Sequence, residues 1–183
     1  MRLFIASSFE PRFIETLEDI RDYARANSGR DCVKWVEGRN FHITYAFLGE
    51  LPDAAPVSRL LEAALDGCRP FRMVSGGLGA FPSSRNPKVL WLSVAEGESF
   101  LRDISGRLTA ALTGGGIQFE DRFEPHVTLG RVKRPLPGNF FRRASDYARS
   151  RQASSVVGSV ELMCSALTPG GPVYSIVSAK RLL

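Results

Sequence analysis

The sequence predicts an α+β fold: two pseudo-symmetric lobes of mainly antiparallel sheet, helices packed outside them and a central cleft between. Three observations predict it. Strand-like and helix-like periods are mixed without the strict alternation of a parallel sheet. The order strand, helix, strand, strand occurs in each half. The last strand of each series carries one of the chain's only two histidines, His42 and His126, and each opens a His-x-Thr triplet.

The elements follow in order. Residues 2 to 8, Arg-Leu-Phe-Ile-Ala-Ser-Ser, read as a strand. From Pro11 the period becomes helical, with Phe13, Ile14, Leu17, Ile20 and Ala24 on one face and a stop near Asn27-Ser28-Gly29. Val33 to Val36 is a short strand, and a Glu37–Asn40 turn leads into the first motif strand, closed by Gly49 and Pro52. Val57, Leu60, Leu61, Ala64 and Leu65 outline a second helix. Phe71 to Leu78 reads as a strand, and 81–87, Phe-Pro-Ser-Ser-Arg-Asn-Pro, reads as a loop by composition.

Val89 to Val94 is a buried strand, followed by a helix presenting Phe100, Leu101, Ile104, Leu108, Ala111 and Leu112. Ile117 to Glu120 stands where the first half has its short strand, and the second motif strand follows. Phe140, Phe141, Ala144 and Tyr147 give a further short helix its apolar face. Ser155 to Leu167 and Val173 to Leu182 read as a hairpin around the five residues from Thr168 to Pro172. No linker or low-complexity tract interrupts the chain, so one domain is expected over 1–183.

Hydrophobic residues make up 44% and charged residues 23% of the 183, which excludes a disordered or fibrous chain. The net charge of +5, carried mostly by arginine, favours anionic partners. Between Arg131 and Arg151 seven cations face one carboxylate, Asp146, as suits contact with a nucleic-acid backbone and equally suits a solvated helix face. Cys32, Cys68 and Cys164 are odd in number and lack a Cys-x-x-Cys pair, so neither a disulfide framework nor a zinc site is expected, and they read as buried small hydrophobes. With no signal-peptide core and no membrane-length apolar stretch, a cytoplasmic chain is expected.

Residues two apart on a strand point the same way, so His42 and Thr44 share one face, opposite Phe41, Ile43, Tyr45 and Phe47. His126 and Thr128 likewise share a face opposite Val127 and Leu129. If the strands lie close together, two imidazoles and two hydroxyls converge on one cleft. That set suits general acid–base chemistry: one neutral imidazole can take a proton from a nucleophile, one imidazolium can protonate a leaving oxygen, and hydroxyls can donate to developing negative charge. Two histidines without a carboxylate cluster make a poor metal site, so neither metal nor cofactor is expected.

The paired motifs resemble those of the 2H phosphoesterase superfamily, and more narrowly its RNA 2',3'-cyclic phosphodiesterase branch, formerly called 2'-5' RNA ligases. The likeness extends to Met1–Ala6, Trp35-Val36, Phe47–Glu50, Phe81-Pro82, Val89–Leu92, Pro125–Arg131 and Ser165–Tyr174. It implies metal-independent hydrolysis of 2',3'-cyclic phosphate ends to 2'-phosphates. In that scheme His42 is the proton donor and His126 the proton acceptor, with Thr44 and Thr128 beside them. Tyr45, in the last position of the first motif, and Arg131 become substrate-binding candidates. Arg131 needs a bend or bulge at Gly130 to reach the face of His126. The expected partners are RNA ends or cyclic nucleotides, with no membrane, no obligate protein partner and a monomeric state. Reversible 2'-5' ligation and a cleft that binds without turnover are the competing readings.

Overall fold

The computed structural model describes residues 1–169 and 171–183. Its strands are β1 (Arg2–Ser7), β2 (Val33–Trp35), β3 (Ile43–Glu50), β4 (Phe71–Ser83), β5 (Asn86–Glu96), β6 (His126–Val132), β7 (Ser154–Val157), β8 (Ser159–Thr168) and β9 (Gly171–Arg181). The helices are α1 (Pro11–Asn27), α2 (Ala55–Ala64), α3 (Glu98–Gly114) and α4 (Phe140–Ser150). Two antiparallel sheets form, ordered β3-β1-β8-β9 and β2-β6-β5-β4-β7. Helices α2 and α3 pack on the first sheet and α1 and α4 on the second. This is the α+β, two-lobed architecture expected.

Helix periodicity translates directly into burial. Phe13, Leu17, Ile20 and Ala24 of α1 are buried, as are Val57 and Leu61 of α2 and Leu101, Ile104, Leu108 and Leu112 of α3. Phe100 is the exception: it stands 57% exposed and stacks on Phe71 at 5.1 Å. In α4 the buried side is Phe140, Ala144 and Ala148, while Tyr147 stacks on Tyr23 of α1 at 3.8 Å.

The repeated unit is a strand, a helix and the motif strand, and each motif strand pairs antiparallel with the strand that opens its unit. Thus β3 lies on β1 across α1, and β6 lies on β5 across α3. The segments before the motifs cross between sheets. In the first half, β2 pairs with β6 rather than β3, and the Val36 N–H donates to the Leu129 carbonyl at 2.8 Å. In the second half, the Glu120 N–H donates to the Phe47 carbonyl at 3.3 Å. These reciprocal bonds hold the two motif strands beside each other.

Several expectations are corrected. Residues 81–87 are not a loop: β4 runs to Ser83 and β5 starts at Asn86, leaving Ser84-Arg85 as the connection of a long hairpin. Pro82 and Pro87 still pair by position because the ladder shifts register there. Residues 117–120 form no strand, so the second half lacks a counterpart of β2. The strand expected over 155–167 divides at Gly158 into β7 and β8, which belong to different sheets. The C-terminal hairpin is tighter than expected, since β8 continues to Thr168 and β9 begins at Gly171; Gly170 of that connection lies outside the described residues. The three cysteines are half-buried rather than buried, and all three are free thiols.

Candidate active site

Strict alternation fails just after the threonine in each motif strand, and the failure shapes the site; β3 has a second irregularity at Leu48. Opposite β1, Ala6 pairs with Thr44 and Ile5 with Ala46, so Tyr45 is an extra residue. Opposite β5, Trp91 pairs with Thr128 and Leu90 with Gly130, so Leu129 is an extra residue. Both bulges fall immediately after the motif threonine. Each flips the strand, so Tyr45 and Ala46 are both buried and Phe47 emerges 55% exposed. Phe47 therefore does not belong to the apolar face that alternation assigns it. By the same flip Arg131 leaves the face of Val127 and Leu129 and lines the cleft with His126 and Thr128. Gly130 suits the bulge because a Cβ there would lie 2.6 Å from Val33 Cγ1.

The cleft has a volume of about 290 Å³. His42, Thr44, Tyr45, His126, Thr128 and Arg131 all line it, so every residue singled out in the sequence comes together there. His42 stands just ahead of β3, whose first residue is Ile43. Its ring Nδ1 lies 2.8 Å from the Asn40 carbonyl, and Nδ1 of His126 lies 2.6 Å from the Glu124 carbonyl. Each carbonyl belongs to the residue two before the histidine. A carbonyl only accepts, so Nδ1 carries the proton in both rings and Nε2 is left to the cleft. Asn40 is fixed in turn, its side-chain amide donating to the Pro172 carbonyl at 3.1 Å. Thr44 and Thr128 are half-buried, and neither hydroxyl has a hydrogen-bond partner among the described residues.

Aromatic rings clamp each imidazole in a matching way. Phe4 and Tyr174 flank His42 with centroids at 5.2 and 5.3 Å, and Phe81 and Trp91 flank His126 at 5.0 and 6.1 Å. These four residues lie in the flanking segments that carry the family resemblance, but nothing in their local pattern gives them a role. Tyr45 is 5% exposed, stacked on Phe123 at 5.4 Å, with its hydroxyl 3.0 Å from Ser7 Oγ. It is a cleft wall built from a core residue.

The surroundings favour neutral imidazoles. Burial, opposed by the Asn40 hydrogen bond and reinforced by the charge of His126, lowers the His42 pKa from 6.5 to about 4. Burial also lowers that of His126, against the pull of the Glu124 carbonyl and carboxylate. Burial raises the Tyr174 pKa, with Arg131 and Arg2 drawing it back, which puts the Arg131 guanidinium within electrostatic reach of that phenol. Among the described residues no cluster of three or more His, Cys, Asp or Glu side chains is arranged to hold a metal ion.

The profile of the 2'-5' RNA ligase superfamily matches residues 9–165. An RNA 2',3'-cyclic phosphodiesterase of Archaeoglobus fulgidus is 34% identical over 95% of this chain and 96% of its own, and one of Aeropyrum pernix is 39% identical over 78% and 82%. A crystal structure from Thermus thermophilus superimposes with a TM-score of 0.78 at 28% identity, covering 100% of this chain and 98% of that one. Escherichia coli LigT complexed with 3'-AMP shares the fold at 23% identity, with a TM-score of 0.73 over 99% and 97% of the two chains. With two bulged His-x-Thr strands meeting in one cleft and relatives of this kind along its length, the chain belongs to the 2'-5' RNA ligase superfamily of 2H phosphoesterases, in its RNA 2',3'-cyclic phosphodiesterase branch.

Proposed function

We propose that the chain hydrolyses 2',3'-cyclic phosphate ends of RNA or nucleotides to 2'-phosphates by general acid–base catalysis between His42 and His126. The observation that carries this reading is the matched anchoring of both rings: each Nδ1–H is committed to a backbone carbonyl, and each Nε2 is left for proton transfer in a cleft that also holds both motif threonines.

In the proposed step His126 Nε2 takes a proton from water as the water oxygen bonds to phosphorus. The P–O3' bond breaks, and O3' takes the proton of His42 Nε2–H, leaving a 2'-phosphate monoester. Thr44 and Thr128 donate hydrogen bonds to the non-bridging oxygens, where charge builds. Arg131 holds the phosphate or the adjoining nucleotide. His42 must be an imidazolium for this step although its surroundings hold it near 4. The anionic diester provides the missing counter-charge, since an opposite charge at close range raises an imidazole pKa. No step is routed through a metal ion.

The experiment is incubation with an RNA oligomer ending in a 2',3'-cyclic phosphate, in EDTA, beside His42→Ala and His126→Ala proteins. Wild type alone should yield 2'-phosphate. Wild-type turnover that EDTA abolishes would remove the metal-independent reading, and tight binding without turnover would make the cleft a recognition site.

A further inference from the structure

The cleft itself is nearly balanced in charge: Lys34, Arg122 and Arg131 line it against Glu37, Glu120 and Glu124. Such a lining can seat one phosphate but gives little long-range attraction for a polyanion. A second groove, of about 370 Å³, has the opposite character. Its cations are Arg85 and Lys88 from the β4–β5 hairpin and Lys133 and Arg134 from the segment after β6, and no carboxylate lines it. All four are exposed, and none forms an ion pair among the described residues.

We propose that this groove binds the RNA strand on the 5' side of the cyclic phosphate, so that the preferred substrate is an oligomer rather than a mononucleotide. This rests on the reading above that the cleft takes a 2',3'-cyclic phosphate. Three features support it. The groove lies beyond the cleft along the same two strands: Val89 pairs with Arg131, and Lys88 and Lys133 follow that pair by one and two residues toward the sheet's end. At about 3.3 Å per residue along a strand and about 4.8 Å between strands, both backbone positions lie roughly 6 to 7 Å from that of Arg131.

The groove is also built rather than incidental. Backbone N–H groups of Lys133 and Arg134 both donate to the Cys32 carbonyl, at 2.7 and 3.2 Å, fixing the segment that presents the cations. Finally, its lining includes Phe141, Leu136 and prolines, a partly apolar surface beneath a basic rim. Phosphates on the rim and bases against the floor are what single-stranded nucleic acid needs. The other half of the basic stretch is differently placed. Arg149 of α4 and Arg151 just after it are paired with Asp146 and Asp19, and neither these nor Arg142 and Arg143 line the cleft or this groove.

The test compares a cyclic mononucleotide with a cyclic-ended oligomer of about six nucleotides, using wild type, Arg85→Ala/Lys133→Ala and, as a charge-matched control, Arg142→Ala/Arg143→Ala. Wild type should prefer the oligomer. The groove variant should lose roughly tenfold in kcat/KM on the oligomer and nothing on the mononucleotide, and its salt-dependence slope should fall by about 1.4, or 0.7 per lost phosphate contact. The control should match wild type. Fluorescence anisotropy on the 2'-phosphate-ended product oligomer gives the same comparison without catalysis.

Equal turnover of both substrates by wild type and groove variant would overturn the groove while leaving the cleft's chemistry standing. So would an equal loss in the control, which would mean a diffuse field. Competition by polyglutamate as strong as by unstructured RNA of equal charge would overturn it in favour of an acidic protein segment. Absence of turnover of either substrate by wild type would overturn the reading of the cleft, and the anisotropy arm would then decide the groove alone.

Discussion

Phe47 and Arg131 occupy the same position in the two motif strands: each lies three residues beyond a motif threonine, just past a one-residue bulge, and each lines the cleft. One half of the repeat thus offers an apolar ring and the other a guanidinium. The pairing suits a nucleotide, with one face for a base and one cation for a phosphate. Arg131→Ala should lower kcat/KM about 10- to 100-fold on every cyclic phosphate, the usual worth of a charge-assisted hydrogen bond. Phe47→Ala should cost roughly 5- to 100-fold on nucleotides through lost stacking, and little on a cyclic phosphate of abasic ribose. An equal loss on the abasic compound would deny Phe47 any contact with a base.

Both histidines titrate below the usual imidazole range, which fixes where the pH profile should lie. The active free enzyme has one proton on the pair, so kcat/KM peaks between two macroscopic pKa values that belong to the pair. With both lowered, and His42 to about 4, that maximum should fall on the acid side of 6.5, while kcat, measured with the diester bound, should peak at higher pH. An alkaline optimum for kcat/KM, with chemistry rate-limiting, would contradict the two-imidazole scheme.

The same shift has a consequence for folding. The unfolded chain binds a proton at His42 between pH 6.5 and 4 and the folded chain resists it, so stability should fall as pH drops through that window. The penalty is absent above 6.5 and complete below 4. Denaturant melts of His42→Gln should show a shallower loss over that window than wild type. Parallel curves would mean that His42 protonates as freely in the folded state as in the unfolded one.

The assignment of acid and base rests on family likeness, whereas His42 is the more deeply shifted of the two. A diester with a good leaving group separates the roles because 4-nitrophenolate departs without a proton. His42→Ala should lose about 10²- to 10⁴-fold on a cyclic phosphate, the typical worth of a general acid, yet remain within roughly tenfold of wild type on the nitrophenyl diester. His126→Ala should stay impaired on both. The reverse pattern would exchange the two roles.

Periodicity makes the helices and the convergence of His42, Thr44, His126 and Thr128 legible, because burial on one face repeats along the chain. It cannot show the bulges at Tyr45 and Leu129. An extra residue in a strand is defined by its partner strand, and the partners β1 and β5 are distant in sequence. Alternation therefore puts Phe47 on the wrong face, and Arg131 requires a bend at which only Gly130 hints. The loop expected at 81–87 fails for a related reason: Pro82 and Pro87 signal a break, but they sit at the end of a hairpin where the ladder is already irregular. The aromatic clamps bring Phe4 and Tyr174 to His42, and Phe81 and Trp91 of the β4–β5 hairpin to His126, each from a strand well separated in the chain from its histidine, so no local pattern announces them.

Gly130 gives the last prediction, because its counterpart in the first motif strand is Ala46. The difference follows from sheet order: β3 is an edge strand, whereas β6 has β2 along its other side. A Cβ at position 130 would lie 2.6 Å from Val33 Cγ1, 3.1 Å from the Lys34 carbonyl and 3.2 Å from Trp35 Cε3. Val33 can turn its side chain, but the Lys34 carbonyl belongs to the ladder, with Lys34 paired to Arg131. Gly130→Ala should therefore cost about 1–3 kcal/mol by overpacking, lowering Tm by roughly 3–10 °C for a chain of this size. It should also move Arg131, so the surviving folded enzyme should show the kinetic loss of Arg131→Ala. Ala46→Gly should do neither beyond a small loss from backbone entropy. A Gly130→Ala protein with wild-type Tm and wild-type kcat/KM would mean that β2 yields without cost and that the bulge, rather than the glycine, places Arg131.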